Sequence, residues 1–79
     1  MDWRERISVD PNVCHGRVCI KGTRVMVSVI LDNLAAGESP EAIMHGYNIE
    51  KDQIEACVRY AAEKVRSADE TRIIKADPY

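Results

Sequence analysis

The sequence predicts a mainly α fold: three helices arranged as a helix-turn-helix bundle, preceded by an N-terminal β-hairpin or ribbon. Three observations carry this. Apolar residues alternate with period two around Lys21-Gly22 within residues 13–27. The period changes at Val27 to helical spacing, with Val27, Ile30, Leu31 and Leu34 on one stripe. Strong punctuation follows at Gly37 and again at Ser39-Pro40-Glu41.

Residues 1–6 are polar apart from Trp3, which is expected to pack over the ribbon or at an interface. Ile7-Ser8-Val9 alternates as a short strand does, and Asp10-Pro11-Asn12 turns the chain. With Lys21-Gly22 as a two-residue turn, Ile20 faces Thr23, Cys19 faces Arg24 and Val18 faces Val25. Alternation then puts Val18, Ile20, Thr23, Val25 and Val27 on an apolar face. Arg17, Cys19, Arg24 and Met26 share a mixed face. Gly22 supplies the positive φ that a tight turn needs, but Lys21 is a poor first residue for a type I′ turn. A type II turn or a type I turn with a glycine bulge fits as well, and the register is open. A lone hairpin is marginal in water, so this one must pack on the helices or pair with a second copy.

The first helix is expected over residues 28–36, with Ser28 as N-cap and Gly37 at the C-terminal stop. Ser39 caps the second helix and Pro40 suits its first position. Ile43, Met44 and Tyr47 are its apolar contacts, and Gly46 ends it. The third helix is expected over residues 51–65, with Ile54, Cys57, Val58, Ala61, Ala62 and Val65 as core stripe. Glu50 is a poor N-cap for it. The division is thus one domain over residues 1–66, with ribbon 7–27 and bundle 28–66, and a tail over 67–79. In that tail Ile73-Ile74 is apolar, a segment suited to ordering on a partner.

Composition sets limits on function. A chain of 79 residues is one domain by default, burying only about 60–65% of its unfolded surface, so oligomerisation is a common support. With 46% hydrophobic and 30% charged residues it belongs with folded domains rather than disordered chains. No run is long and apolar enough to span a membrane, and the charged start does not resemble a signal peptide, so a cytoplasmic location is expected. Three cysteines, Cys14, Cys19 and Cys57, read as reduced thiols. The Cys14-to-Cys19 spacing with His15 is too loose, and too poor in further ligands, for structural zinc, so no metal or other cofactor is expected. Neither is an enzyme, since no nucleophile set, phosphate loop or paired acids stand out.

Charge is uneven. Through Ile30 there are five Lys and Arg against three acids; from Leu31 onward, six against ten. The basic third holds Arg17, Lys21 and Arg24, suited to phosphate contact. In a helix-turn-helix, the second helix of the motif presents its N-terminal polar face to the major groove. Here that face carries Lys51, Asp52, Gln53, Glu55 and Arg59, of which Lys51, Gln53 and Arg59 can meet DNA while the acids repel phosphate.

The run Ile7-Ser8-Val9-Asp10-Pro11, Cys14-His15-Gly16-Arg17 and Ile20-Lys21-Gly22-Thr23-Arg24-Val25 resembles the signature of domain-of-unknown-function family 433. The likeness continues through Ile30-Leu31, Leu34-Ala35-Ala36-Gly37, Ser39-Pro40-Glu41-Ala42-Ile43, Tyr47, Ile54 and Tyr60-Ala61-Ala62. It implies a homeodomain-like three-helix fold with an N-terminal β-element. It also implies an antitoxin-type protein of a type II toxin–antitoxin pair: a homodimer that binds operator DNA, represses its own operon and blocks a PIN-like ribonuclease toxin. Asn48 and Glu50 depart from the proline and the serine or threonine cap that the resemblance leads one to expect. The alternative reading is a protein-interaction module that binds a partner without DNA. In it Arg72 and Lys75 approach an acidic nuclease site, and Ile73 with Ile74 forms the apolar anchor.

Overall fold

The computed structural model describes residues 2–12 and 16–73, with side chains through residue 68. A short 3-10 helix, Trp3–Glu5, is followed by strands β1 (Ile7–Ser8) and β2 (Cys19–Ile20), then by helices α1 (Val27–Ala35), α2 (Pro40–Tyr47) and α3 (Lys51–Ile73). The mainly α architecture with an N-terminal antiparallel strand pair is the one the periodicity predicts. Cys14 and His15 lie outside the described residues.

The middle strand is β2. On one edge it pairs with β1, Ile7 opposite Ile20 and Ser8 opposite Cys19, and the Lys21 N–H donates to the Arg6 carbonyl at 2.7 Å. On its other edge Cys19 lies opposite Met26, with Ile20 N–H to Val25 carbonyl at 2.9 Å and Val27 N–H to Val18 carbonyl at 3.1 Å. The expected opposition of Cys19 to Arg24 is therefore displaced by two residues. The cause is Thr23. Its backbone N–H closes the turn onto the Ile20 carbonyl at 3.0 Å, its hydroxyl donates to that same carbonyl at 2.8 Å, and the hydroxyl accepts from the Val25 N–H at 3.0 Å. Thr23 and Arg24 thus leave the ladder. Gly22 at φ +83° sits third in this turn, which makes it type II, one of the alternatives the sequence leaves open. A shift of two preserves side-chain parity, so the apolar face is kept. Cys19, placed on the mixed face by the sequence, is nevertheless fully buried, because β2 is covered on both sides.

Helix α1 starts one residue earlier than expected. Met26 stands at its cap without a side-chain bond, and Ser28 lies exposed in the first turn. Its end follows expectation: Gly37 at φ +94° lets its own N–H reach the Leu34 carbonyl and the Glu38 N–H reach the Asn33 carbonyl, both at 3.0 Å. This is a Schellman closure. Helix α2 begins as read, with Ser39 Oγ accepting from the Ala42 N–H at 3.1 Å and Pro40 in the first turn. It ends on Asn48 rather than Gly46. Asn48 takes the left-handed conformation at φ +56°, and the next N–H, that of Ile49, folds back to the Met44 carbonyl at 3.1 Å. Asparagine tolerates this region, whereas proline is locked at negative φ.

Helix α3 runs eight residues past the expected end at Val65. Its core side is narrower than the sequence stripe suggests: Ile54, Ala56 and Cys57 are buried, whereas Val58 is 45% and Val65 59% exposed. Val58 follows the buried Ile54 by one turn on the same flank, so on that flank burial stops after the first turn of α3. Ile7, Ile20, Val27, Ile30, Ile43 and Ile49 complete the core. Trp3 packs on α3 rather than over the ribbon, its ring meeting Tyr60 edge-on with centroids 5.1 Å apart.

Truncating a core isoleucine and an exposed valine should separate sharply. Ile20→Ala is expected to cost about 3 kcal/mol and Val58→Ala under about 0.5 kcal/mol in urea unfolding. Asn48→Pro, which cannot hold φ +56° and loses the N–H that bonds Met44, should cost about 3 kcal/mol or more.

Candidate functional site

The junction between α2 and α3 and the ribbon turn hold four of the residues the sequence singles out, Lys51 with Gln53 and Lys21 with Arg24. Ile49 is buried and anchors the connection from Asn48 to Glu50. The Gln53 side-chain oxygen accepts from the Glu50 N–H at 2.6 Å, the reciprocal half of a capping box. A glutamine three residues after the cap is the sequence signal for this, and it stabilises a helix start that Glu50 alone would leave poorly capped.

That bond changes what Gln53 can do. Adenine is read by glutamine through both its amide oxygen and its amide nitrogen. With the oxygen already accepting at the cap, a two-bond reading of adenine needs its second lone pair, so the cap fixes how Gln53 can be presented. Lys51 is exposed in the first turn of α3. Asp52 does not stand open to repel phosphate: its Oδ2 accepts from Arg6 Nε at 3.0 Å and lies 2.8 Å from Arg6 Nη2. Its Oδ1 is enclosed without a hydrogen-bond partner.

Arg6, not singled out by the sequence, is the hinge of the arrangement. Its guanidinium holds the first turn of α3 while its carbonyl accepts from Lys21. The ribbon turn is thereby linked through Arg6 to the first turn of α3. Lys21 and Arg24, both exposed, line one cleft with Ser8, Asn12, Gly22 and Thr23. Arg17 is also exposed but borders a separate groove with Val18, Val27, Leu31 and Tyr60. The ribbon therefore joins two of its three cations, not all three. Arg59 stands two turns along α3, bound to Glu55 Oε2 through Nε at 3.1 Å and Nη2 at 2.8 Å. Arg72 and Ile73 fall in the last turn of α3, where side chains are outside the described residues, and Ile74 and Lys75 lie outside them altogether.

Among the described residues no three His, Cys, Asp or Glu side chains converge as a metal site, and no helix is long and apolar enough to cross a membrane. Burial pushes the Cys57 thiol up to about 11 from an ordinary value of 9.0, a backbone hydrogen bond offsetting part of the effect. This keeps it protonated and unreactive at neutral pH.

Two outcomes follow. Gln53→Ala should destabilise the protein by about 1 kcal/mol through loss of the cap bond, seen as a lower urea midpoint. The Cys57 thiol releases its proton more readily in the unfolded chain, so the stability from its burial is complete below pH 9.0 and is lost as pH rises towards about 11. Unfolding midpoints measured across that window should fall, with on the order of 2 kcal/mol contributed by this thiol, and the decline should be shallower in Cys57→Ala.

No curated protein and no solved structure matches the chain. The model of a protein family of unknown function, DUF433, matches residues 7–61. That span holds both strands, α1, α2, the capped junction and α3 through Ala61, and the chain belongs to the DUF433 family.

Proposed function

We propose that the protein is an antitoxin-type regulator: a homodimer that binds operator DNA upstream of its own gene and neutralises a PIN-like ribonuclease partner in the cytoplasm. What supports this reading is that Arg6 links the ribbon turn, which carries the exposed Lys21 and Arg24, to the first turn of α3, which carries the exposed Lys51. A short helix, a turn of three residues and a longer helix form the frame of a helix-turn-helix. Beside that frame the ribbon turn supplies the phosphate contacts that position a protein on DNA without specifying sequence. Neutralisation of Asp52 by Arg6 removes one of the two acids that oppose such contact. Gln53 reads a base only from the orientation its cap bond allows, and Arg59 shares its guanidinium with Glu55. Arg17, on a separate groove, is the outlying cation of the set.

A second reading is a protein-interaction module without DNA binding. It is favoured by the capture of Arg59 by Glu55 and of Gln53 by the cap, which leaves few side chains free to read bases. In that reading Arg72, Ile73, Ile74 and Lys75 form the anchor for an acidic nuclease.

The two readings part on salt. Binding to the upstream DNA, followed by fluorescence anisotropy over a salt series, should weaken steeply as salt rises. The double substitution Lys21→Ala with Arg24→Ala should reduce the salt slope by about two. No binding at low salt, with the neighbouring partner protein present, would remove the regulator reading. Truncation after Ser67 should weaken partner binding and leave the fold intact; unchanged affinity would remove residues 72–75 from the contact.

A further inference from the structure

Arg4, Arg6, Arg59 and Arg66 each lie within 3.8 Å of a carboxylate oxygen. Lys21 and Arg24 pair with no acid among the described residues, and the cleft they line with Ser8, Asn12, Gly22 and Thr23 holds no carboxylate in its lining. The chain as a whole carries a net charge of −2, so this cleft runs against the average of its surface.

The ribbon backbone explains the assembly. Ser8 is opposite Cys19 in the ladder, so their side chains share a face. Cys19 Sγ donates to the Thr23 carbonyl at 3.6 Å, which draws the outgoing arm of the turn over that face, towards Ser8. Donors then stand on two walls. On the β1 wall, Ser8 Oγ accepts from the Asp10 N–H at 3.3 Å and keeps its own hydrogen to donate. The Asn12 side-chain amide has no partner among the described residues. Asp10, the nearest acid along the chain, gives Oδ1 to the Asn12 N–H at 2.8 Å and stays out of the lining. On the turn wall stand Lys21 and Arg24, while the Thr23 hydroxyl is spent within the turn itself.

We propose that this cleft is a site for one phosphate group, held by the charges of Lys21 and Arg24 and by the Ser8 hydroxyl and Asn12 amide as neutral donors. A tetrahedral phosphate offers oxygens in several directions and meets donors on two walls at once, whereas a carboxylate offers two oxygens in one plane. The group comes from a nucleic-acid backbone or from a small free phosphate, which present the same chemistry. The inference rests on the reading of Lys21 and Arg24 as phosphate contacts and adds Ser8 and Asn12 to them, while its readout needs no operator.

Nitrogen–proton NMR spectra of the full chain, titrated with sodium phosphate against sodium chloride at equal ionic strength, test it. Phosphate should give saturable shifts confined to the Asn12 side-chain amide and to Gly22, Thr23 and Arg24. Lys21→Ala with Arg24→Ala should remove them and leave the remaining amide signals in place. Ser8→Ala and Asn12→Ala should each weaken the affinity about three- to tenfold. Shifts no larger than with chloride, equal shifts from sodium acetate, shifts as large at Lys51 and Lys64, or an affinity untouched by both Ser8→Ala and Asn12→Ala would each overturn the proposal. Dimethyl phosphate and methyl phosphate identify the source, and binding of either supports the site: a diester bound as well as the monoester indicates a nucleic-acid backbone, the monoester alone a small phosphate. If the cleft behaves as expected and the upstream DNA is not bound, the regulator reading fails and this site stands. If that DNA is bound and phosphate shifts nothing, the site fails and the regulator reading stands.

Discussion

Everything in this small protein depends on two residues being held from both sides. Cys19 and Ile20 form the middle of a three-segment ribbon, hydrogen-bonded to β1 on one edge and to the segment entering α1 on the other. Both are fully buried. A two-residue strand has almost no stability of its own. Here it persists because the Thr23 hydroxyl completes the turn and the isoleucines of the helices close over it. The ribbon is thus a structural member of the core, with Ile20 packed in the same cluster as Ile30, Ile43 and Ile54.

Much of this was legible in the sequence, for reasons that differ by element. Ser39-Pro40 and Gly37 act through local backbone chemistry, so they read correctly without knowledge of the rest of the fold. The ribbon register did not, because it turns on whether one threonine hydroxyl replaces a ladder bond, a choice that alternation of apolar residues cannot reveal. The outer limit of the α3 core stripe was also hidden. Valine at helical spacing signals an apolar face, but whether the core reaches as far along that flank as Val58, one turn past the buried Ile54, depends on how the helices cross. The length of α3 past Val65 went unread because residues 66–72 are mostly polar and carry no apolar stripe.

The site was legible as a list of cations and obscure as an arrangement. Lys21, Arg24 and Lys51 are exposed as charge alone would suggest. Arg6 sits in an unremarkable N-terminal run, and nothing local reveals that it spans to Asp52, 46 residues away. Gln53 could have been recognised as a capping residue from its offset to Glu50, and its role as a base reader weighed against that from the start. Ion pairs as exposed as Arg6 with Asp52 contribute little to stability on their own. The value of this one is positional, since it ties Arg6, whose carbonyl holds Lys21, to the first turn of α3.

The length of α3 has a mechanical side. Contacts with the rest of the fold gather along its first part, through Tyr60 and Glu63, where Trp3 and Arg4 grip it. From there the helix continues to Ile73, an arm of roughly 15 Å at about 1.5 Å per residue. An arm of that length converts a tilt of roughly 10° at the gripped end into a displacement of roughly 3 Å at its tip. Small adjustments where Trp3 meets Tyr60 would therefore be felt as large ones at the far end, and whatever seizes the tip gains leverage over the N-terminal turn of the chain.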